Sequence, residues 1–529
     1  MLIGERLRQT AARFGAREAA AQGAQRMSWG QLDALADRCA GGLAALGVRP
    51  GDRVAIQLPN SIAYLVAWYS ILRLGATAVP LNPRYQPDEL GYLLADSGVV
   101  ASIAYAPLGP ALAGLRPGLP LLRHVLLSDL SPAPASGAAV GGDGVLWFEG
   151  WLAGQEPGGR PWEAQAPVPA EAPATCLYTS GTSGRPKGAL LSHAGLLWNI
   201  DQLLQVFTAD EHDRFLCVLP LFHSYAQMAC VVSTLTLGAS LVMMPQFRPE
   251  AVLETIARER ITIFPGVPAF YGAILAGVRP GTEPELGSLR LAVTGGAAMP
   301  LAVLEALERR YHVAVLEGNG PTEAGPVAYV NPERGPRKPG SVGPPVPGVR
   351  VRIVDGEDRD LPVGKVGEVL IQGPNVMLGY LNRPQETAEA LRGGWLHTGD
   401  LGRVDADGYV FLVDRKIDLI IVGGLNVYPR EVEDALLRHP GVAEAAVVGV
   451  PETTRGERVV AFVVAREGQG PTPHDLIRHC RQLLAPYKCP RQVLLREGLD
   501  KNAAGKVQKL ALRVLAEQEL AGIVDDAEE

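Results

Sequence analysis

Between residues 28 and 81 the spacing of apolar positions switches back and forth between two periods. Residues 29–46 and 61–74 repeat at helical spacing, while 53–58 and 76–81 are short apolar runs of strand length. Gly75 closes the second helix. This alternation predicts a parallel α/β sheet. Further strands are predicted at 216–219, 240–244, 261–264 and 291–293, each separated from the next by a helical stretch. Residues 128–174, rich in Pro, Ala and Gly, are expected to run over the surface. The character changes at 342–413, where short alternating runs (349–354, 367–372, 409–413) predict a compact β subdomain. Beyond Asp414 a helix at 428–438 and strands at 443–450 and 459–464 restore the mixed pattern, which places the main boundary near 413–418.

Composition narrows the picture. A chain of 529 residues exceeds one ordinary domain, and 47% hydrophobic with 20% charged residues describes a globular protein with a large core. A net charge of −7 without a basic stripe argues against nucleic acid as a partner. The six cysteines have no paired spacing, and Cys176 and Cys217 lie in apolar runs as expected of buried thiols. The nine histidines form no metal-ligand pattern. No uncharged apolar run is long enough to span a membrane, the first residues carry no signal-peptide pattern, and the acidic end Asp525-Asp526-Ala527-Glu528-Glu529 carries no peroxisomal address. Cytoplasm is the expected compartment.

The richest chemistry lies in residues 178–188, Tyr-Thr-Ser-Gly-Thr-Ser-Gly-Arg-Pro-Lys-Gly. Gly181, Gly184 and Gly188 are expected to let the backbone turn its N–H groups onto an anion. Thr179, Ser180, Thr182 and Ser183 add hydroxyl donors, and Lys187 adds a mobile positive charge suited to a triphosphate. Donors, glycines and cation are interleaved too closely for an ordinary Gly/Ser linker. The common nucleotide P-loop needs Gly-Lys-Ser/Thr, whereas Lys187 precedes Gly188 and Ala189.

Four more motifs follow in order: Gly320-Pro321-Thr322-Glu323, Gly394-Trp395-Leu396-His397-Thr398-Gly399-Asp400, Asp414-Arg415 with Gly423-Gly424 beyond it, and Gly505-Lys506-Val507. Together with the 178–188 loop they resemble the adenylate-forming superfamily, in its acyl-CoA synthetase branch, across nearly the whole chain. The resemblance is greatest to bacterial medium- and long-chain fatty acid–CoA ligases. It implies an α/β fold with a large N-terminal domain (1–413) of α/β sheets plus the β subdomain, a hinge at 414–418 and a small mobile α/β C-terminal domain (419–529).

The resemblance also implies roles. ATP, Mg2+ and coenzyme A are the expected cofactors and co-substrates. The loop residues Thr179, Ser180, Gly181, Thr182, Ser183, Gly184 and Lys187 would hold the phosphates. Thr322 would lie near the α-phosphate, Glu323 and Thr182 would bind Mg2+, and Lys506 would bridge carboxylate and α-phosphate oxygens during adenylation. Asp400 would accept from the ribose hydroxyls with Arg415 assisting; from the residues alone, Arg415 could equally pair with Asp414 or Asp418. His223, in Pro220-Leu221-Phe222-His223, would border the acyl pocket. Gly296 and Ala297 would border adenine and acyl group, and Gly423 and Gly424 the pantetheine tunnel. Asn319 occupies the place where relatives usually stack a tyrosine on adenine, and Ile417 the place of their polar hinge residue. Asp500 stands where relatives often have proline.

The expected activity is an ATP-dependent acid–CoA ligase acting on a small-molecule carboxylic acid, a medium- or long-chain fatty acid first. An aryl or other acid, transfer to a carrier-protein thiol, and a non-catalytic ligand-binding paralogue are the alternatives. Trp198, Tyr225, Phe264 and Phe270 are the expected pocket residues, and homodimerisation is left open.

Overall fold

The computed structural model describes residues 1–130, 144–156, 167–179, 185–279, 281–422, 425–452, 456–466, 468, 470–501 and 507–525. By packing, the chain divides into two compact units. One comprises 1–351, 370–397 and 407–410; the other comprises 352–369, 398–406 and 411–529. Residues 352–369 and 398–406, which the sequence pattern assigns to the large domain, therefore group with the C-terminal segment.

Among the described residues the first unit holds two eight-stranded sheets. In one, Ala314–Asn319, Leu291–Thr294, Ile263–Gly266, Arg214–Cys217, Ser240–Met243 and Glu18–Gln22 lie side by side and parallel. In the other, Pro173–Thr179, Thr77–Pro80, Arg53–Gln57, Ala101–Tyr105, His124–Ser128 and Val145–Trp147 do the same. Each parallel run ends in an antiparallel edge. Tyr329–Val330 pairs with Ala314–Asn319, and Lys187–Ser192 pairs with Pro173–Thr179 on one side and Gly379–Tyr380 on the other. These two edges carry the candidate site, at the carboxyl ends of the parallel strands, where open α/β sheets bind ligands.

Local chemistry explains the element boundaries. Ser28 caps helix Trp29–Ala45 reciprocally with Gln31, and Ser61 caps helix Ile62–Arg73 by accepting from the Tyr64 N–H at 3.1 Å. Gly75 follows at φ +73°, a left-handed conformation that suits glycine. At the C-terminal end of helix Ile62–Arg73, Arg73 is buried, but its guanidinium is shared between Asp33, Asp37 at 2.7 Å and the Gly4 carbonyl at 3.0 Å. The strand expected at 216–219 is found at Arg214–Cys217. Past Cys217 the backbone bonds instead to Asn60, whose amide donates to the Leu219 and Met244 carbonyls (2.9 and 3.2 Å) and accepts from the Leu221 N–H (2.9 Å).

Residues 128–174 are not wholly a surface run. Val145–Trp147 is a strand parallel to His124–Ser128, and the following helix, Phe148–Ala153, buries Phe148. Trp151 fits against helix Trp29–Ala45 because Gly42 has no side chain; a Cβ there would meet the indole at 2.5 Å.

In the second unit a sheet runs Leu425–Val427, Ile420–Val422, Gly456–Ala465, Val442–Glu452, with Gln492–Arg496 alongside Gly456–Ala465. Helix Pro429–Leu437 places Glu433 so that it accepts from the Val447 N–H at 2.8 Å and pairs with Lys509 Nζ at 2.8 Å. Burial raises the Glu433 carboxyl and Lys509 opposes that shift. For Lys509 burial acts downward, but Glu433 and Asp414 outweigh it and hold the ammonium above its ordinary value. Lys509 thereby ties helix Lys509–Asp525 to helix Pro429–Leu437. No helix among the described residues is long and apolar enough to cross a membrane, and all six cysteines are buried and free.

His193, the first residue of helix His193–Leu203, is fully buried and accepts from the Ile3 N–H through Nδ1 at 3.2 Å. Burial, then the nearby amino terminus, lowers its pKa from 6.5 to about 4. Below pH 6.5 the unfolded chain binds a proton that the folded imidazole refuses. Stability is therefore complete above that pH and falls until pH reaches about 4. Between about pH 7.5 and pH 5 this site should cost ~2 kcal/mol. His193→Asn keeps an acceptor for Ile3 without titrating, so urea unfolding of the variant should lack that part of the pH slope.

Candidate active site

Strand Pro173–Thr179 is buried along most of its length and delivers Thr179 at its half-buried end. The return strand starts at Lys187, directly opposite Thr179. Between them, Ser180, Gly181, Thr182, Ser183 and Gly184 lie outside the described residues, so the anion cradle expected there, with Thr182 as a metal ligand, is not part of the geometry. Gly188 has a different role from the one expected. It lies within strand Lys187–Ser192, and a Cβ there would meet Cys176 Sγ at 2.5 Å. Its missing side chain makes room for the neighbouring strand.

The hairpin is braced from outside. The Tyr178 hydroxyl donates to Asp96 at 2.8 Å, Arg383 donates to the other Asp96 oxygen at 2.7 Å, and the Tyr92 hydroxyl donates to the Pro186 carbonyl at 3.0 Å.

Across from the hairpin, a 3-10 turn at Thr322–Ala324 follows strand Ala314–Asn319. Its backbone is pinned: the Met377 N–H donates to the Glu323 carbonyl at 2.8 Å, and the Asn375 amide donates to the Ala324 carbonyl at 2.6 Å. Gly325 closes the turn at φ +79°, with Asn375 O only 2.5 Å from where a Cβ would lie. The Glu323 side chain turns toward the hairpin. Its Oε1 accepts from Thr179 Oγ1 at 3.1 Å and from the Tyr380 hydroxyl at 3.0 Å. The Lys187 ammonium sits 5.4 Å from the centre of the Tyr380 ring, within cation–π range. Thr322 Oγ1 and Ser224 Oγ are 2.9 Å apart.

His223 precedes the short helix Ser224–Ala226, with its ring 4.6 Å from that of Phe222. A π-helical stretch, Gln227–Val232, follows, and such insertions are frequent at functional sites. Tyr225 is half-buried and bonds the Val293 carbonyl at 2.9 Å, which sets its ring near Gly295. Gly296 adopts φ +79° and, like Ala297, is exposed. The turn they form is held from below by the buried Glu317, which accepts from the Met299 N–H at 3.0 Å. Asn319 ends its strand paired with Tyr329. Phe264 belongs to the core: it is buried with its ring edge-on to Tyr271, so it leaves the expected pocket set. Phe270 stacks on Phe247 at 4.1 Å.

In the second unit Asp400 and Arg415 meet at 2.7 Å, which decides where the arginine pairs. Gly399 at φ +68° and the Thr398 hydroxyl, which accepts the Asp400 N–H at 3.0 Å and donates to the Val369 carbonyl at 2.7 Å, set the turn. Lys416 pairs with Glu368 at 2.9 Å, while Ile417 is exposed. Gly423, Gly424 and Lys506 lie outside the described residues. The residues flanking 502–506 are joined, since Lys501 bridges Val507 and the Gln508 N–H donates to the Asp500 carbonyl at 3.0 Å.

Sequence reasoning missed Tyr380, Ser224 and Glu317. Nothing in their local spacing marks them, because each acts on a residue distant in sequence.

The AMP-binding enzyme family model matches residues 7–381, and the AMP-binding enzyme C-terminal domain matches 431–506. The chain belongs to the AMP-binding enzyme family. It is 38% identical to a feruloyl-CoA synthase of Amycolatopsis, over 93% of this chain and 94% of that one. It is 34% identical to a long-chain-fatty-acid–CoA ligase of Bacillus subtilis, over 97% and 94%. Among solved structures, ATP-bound MatB from Rhodopseudomonas palustris superimposes with a TM-score of 0.87 at 32% identity, covering 98% and 99%. This AMP-binding enzyme is thus an AMP-forming acid–thiol ligase, for which ATP, Mg2+ and CoA are the co-reactants. The residues present fit Mg2+ and a phosphate group. Glu323, Thr179, Thr322 and Tyr380 offer a carboxylate and hydroxyls, the hard oxygen donors Mg2+ prefers, and Lys187 adds a cation for phosphate.

Gly188→Ala should destabilise the enzyme by about 1–3 kcal/mol through overpacking. Cys176→Ala in the same chain should restore more than half of that loss in thermal unfolding. If the double variant is no better than the single, the Cys176 contact does not set the requirement for glycine.

Proposed function

We propose that this enzyme joins an apolar monocarboxylic acid to CoA in two half-reactions at the Glu323 site. A carboxylate is a poor acyl donor because its leaving group would be oxide. In the first half-reaction a carboxylate oxygen attacks the α-phosphorus of ATP, the bond to pyrophosphate breaks, and pyrophosphate departs with the electron pair. In the second, the CoA sulfur attacks the acyl carbon, AMP leaves with the bonding electrons, and the thiol proton passes to solvent or a nearby base.

The observation that carries this reading is the convergence of Thr179 and Tyr380 on Glu323, with Lys187 over the Tyr380 ring. Thr179 and Lys187 face the triphosphate, with the loop residues Ser180 to Gly184 between them in sequence. Thr322, paired with Ser224, is positioned for the α-phosphate. Bound Mg2+ supplies charge neutralisation on the phosphates, and Glu323, with Thr182, holds it. Lys506 bridges acid and α-phosphate oxygens in the first half-reaction. Asp400 accepts from the ribose, with Arg415 holding its carboxylate in place. His223 and Tyr225 border the acid, and Gly296, Ala297 and Asn319 border adenine. Residues 414–418 act as the hinge, and Gly423 and Gly424 leave room for the pantetheine arm.

A medium- or long-chain fatty acid is the first substrate class, supported by 34% identity to the Bacillus subtilis ligase. An aryl acid is the second reading, supported by 38% identity to a feruloyl-CoA synthase and by the half-buried Tyr225 ring. Incubation with ATP, Mg2+, CoA and a panel of fatty, cinnamic and benzoic acids, with AMP and thioester quantified, separates the two. AMP without thioester would point to a carrier-protein acceptor, and no AMP with any acid would overturn the proposal.

Lys506→Ala should reduce adenylation, measured by pyrophosphate exchange, by roughly 10²-fold or more, since it removes one transition-state charge. Thioester formation from preformed acyl-adenylate and CoA should change far less. Equal loss in both half-reactions would remove Lys506 from its assigned role.

A further inference from the structure

Both hydroxyls that meet Glu323 donate to the same oxygen. Thr179 Oγ1 and the Tyr380 phenol lie 3.1 and 3.0 Å from Oε1. An ionised carboxylate accepts through two oxygens, and none of the described residues donates to Oε2. The two donors therefore fix the rotation of the carboxylate and leave one oxygen to face a cation. Charge-assisted bonds of this kind are about twice as strong as neutral ones.

The Tyr380 ring does a second job. Its face carries the Lys187 ammonium at 5.4 Å while its hydroxyl edge holds Glu323. A lysine paired directly with Glu323 would neutralise both groups; the ring keeps them apart, each available to a ligand of opposite charge. The ring is in turn firmly placed. Its strand pairs with Ala189 and Leu190, the Tyr380 N–H donates to Thr387 Oγ1 at 2.9 Å, and Gly379 lets Thr387 approach to 2.6 Å of where a Cβ would lie.

We propose that Tyr380 is a positioning residue for metal–nucleotide binding: with Thr179 it orients Glu323 so that Oε2 faces Mg2+, and its ring presents Lys187 to the phosphates. This rests on the reading of Glu323 as a metal ligand. The test uses the full chain and the non-hydrolysable analogue α,β-methylene-ATP, titrated calorimetrically with Mg2+ and with EDTA. The ratio of the two dissociation constants reports the metal-dependent part of binding, independently of turnover.

Tyr380→Phe keeps the ring and removes the donor. It should lower the Mg2+ enhancement by roughly tenfold and leave the affinity in EDTA unchanged. Tyr380→Leu should lose the same enhancement and also weaken binding in EDTA, by about threefold, through loss of the cation–π contact. Thr179→Val, which removes the other donor to Oε1, should lower the Mg2+ enhancement as Tyr380→Phe does, on top of any loss of affinity in EDTA, and keeps the shared-oxygen arrangement testable if the phenylalanine variant does not fold. A wild-type protein with no Mg2+ enhancement would sink the Glu323 reading and this inference with it. A wild-type enhancement that Glu323→Gln abolishes but Tyr380→Phe and Thr179→Val retain would overturn the inference alone. Equal weakening by Tyr380→Phe in Mg2+ and EDTA would show a merely structural role and overturn it as well.

Discussion

Two hydroxyls from distant parts of the chain meet one carboxylate oxygen of Glu323, and the rest of the candidate site depends on that contact. Its donors come from residues 144 and 57 positions away in sequence. Meeting them requires two antiparallel sheet edges to end in the same place. That in turn rests on close approaches that only small residues allow: Cys176 against Gly188, Asn375 against Gly325 and Thr387 against Gly379. A methyl group at any of these would displace a strand or turn whose end carries a site residue.

Several charged groups outside the site are held in ion pairs. Arg73 is shared between Asp33 and Asp37, Arg290 pairs with Asp213 at 2.8 Å, and Glu433 pairs with Lys509 at 2.8 Å. Removing one partner of a buried pair typically costs about 3–5 kcal/mol, because the other charge is stranded. The contrast is informative. Lys187 rests on an aromatic face, where its charge stays available. Glu323 and Lys187 thus meet hydroxyl and aromatic contacts, whereas the candidate residue Asp400 is held by an ion pair with Arg415.

Each compact unit carries its own share of the candidate chemistry. The first holds Thr179, Lys187, Thr322, Glu323 and Tyr380, suited to phosphate and metal. The second holds the Asp400–Arg415 pair and the chain segment that includes Lys506. Within the second unit Lys416 pairs with Glu368, and Ile417 is exposed.

The sequence by itself determined the alternation of strands and helices, the burial of Cys176 and Cys217 and the ordered motifs, because periodicity, capping residues and glycine placement act over a few residues. The helices at 29–45 and 62–73 appear where their Ser caps and apolar spacing put them. Only the tertiary structure decided the rest. The strand ending at Cys217 stops because Asn60, 157 residues earlier, takes over its neighbours' hydrogen bonds. Trp147 and Phe148 emerge from a Pro/Gly-rich stretch because a parallel strand and Gly42 receive that segment. Arg415 chose Asp400 over the nearer Asp414 and Asp418 because the Thr398–Asp400 turn brings that carboxylate to its guanidinium. Tyr380 and Ser224 were invisible for the same reason. A hydrogen bond or a cation–π contact depends on where two side chains lie in space, and short-range spacing carries no information about partners a hundred residues away.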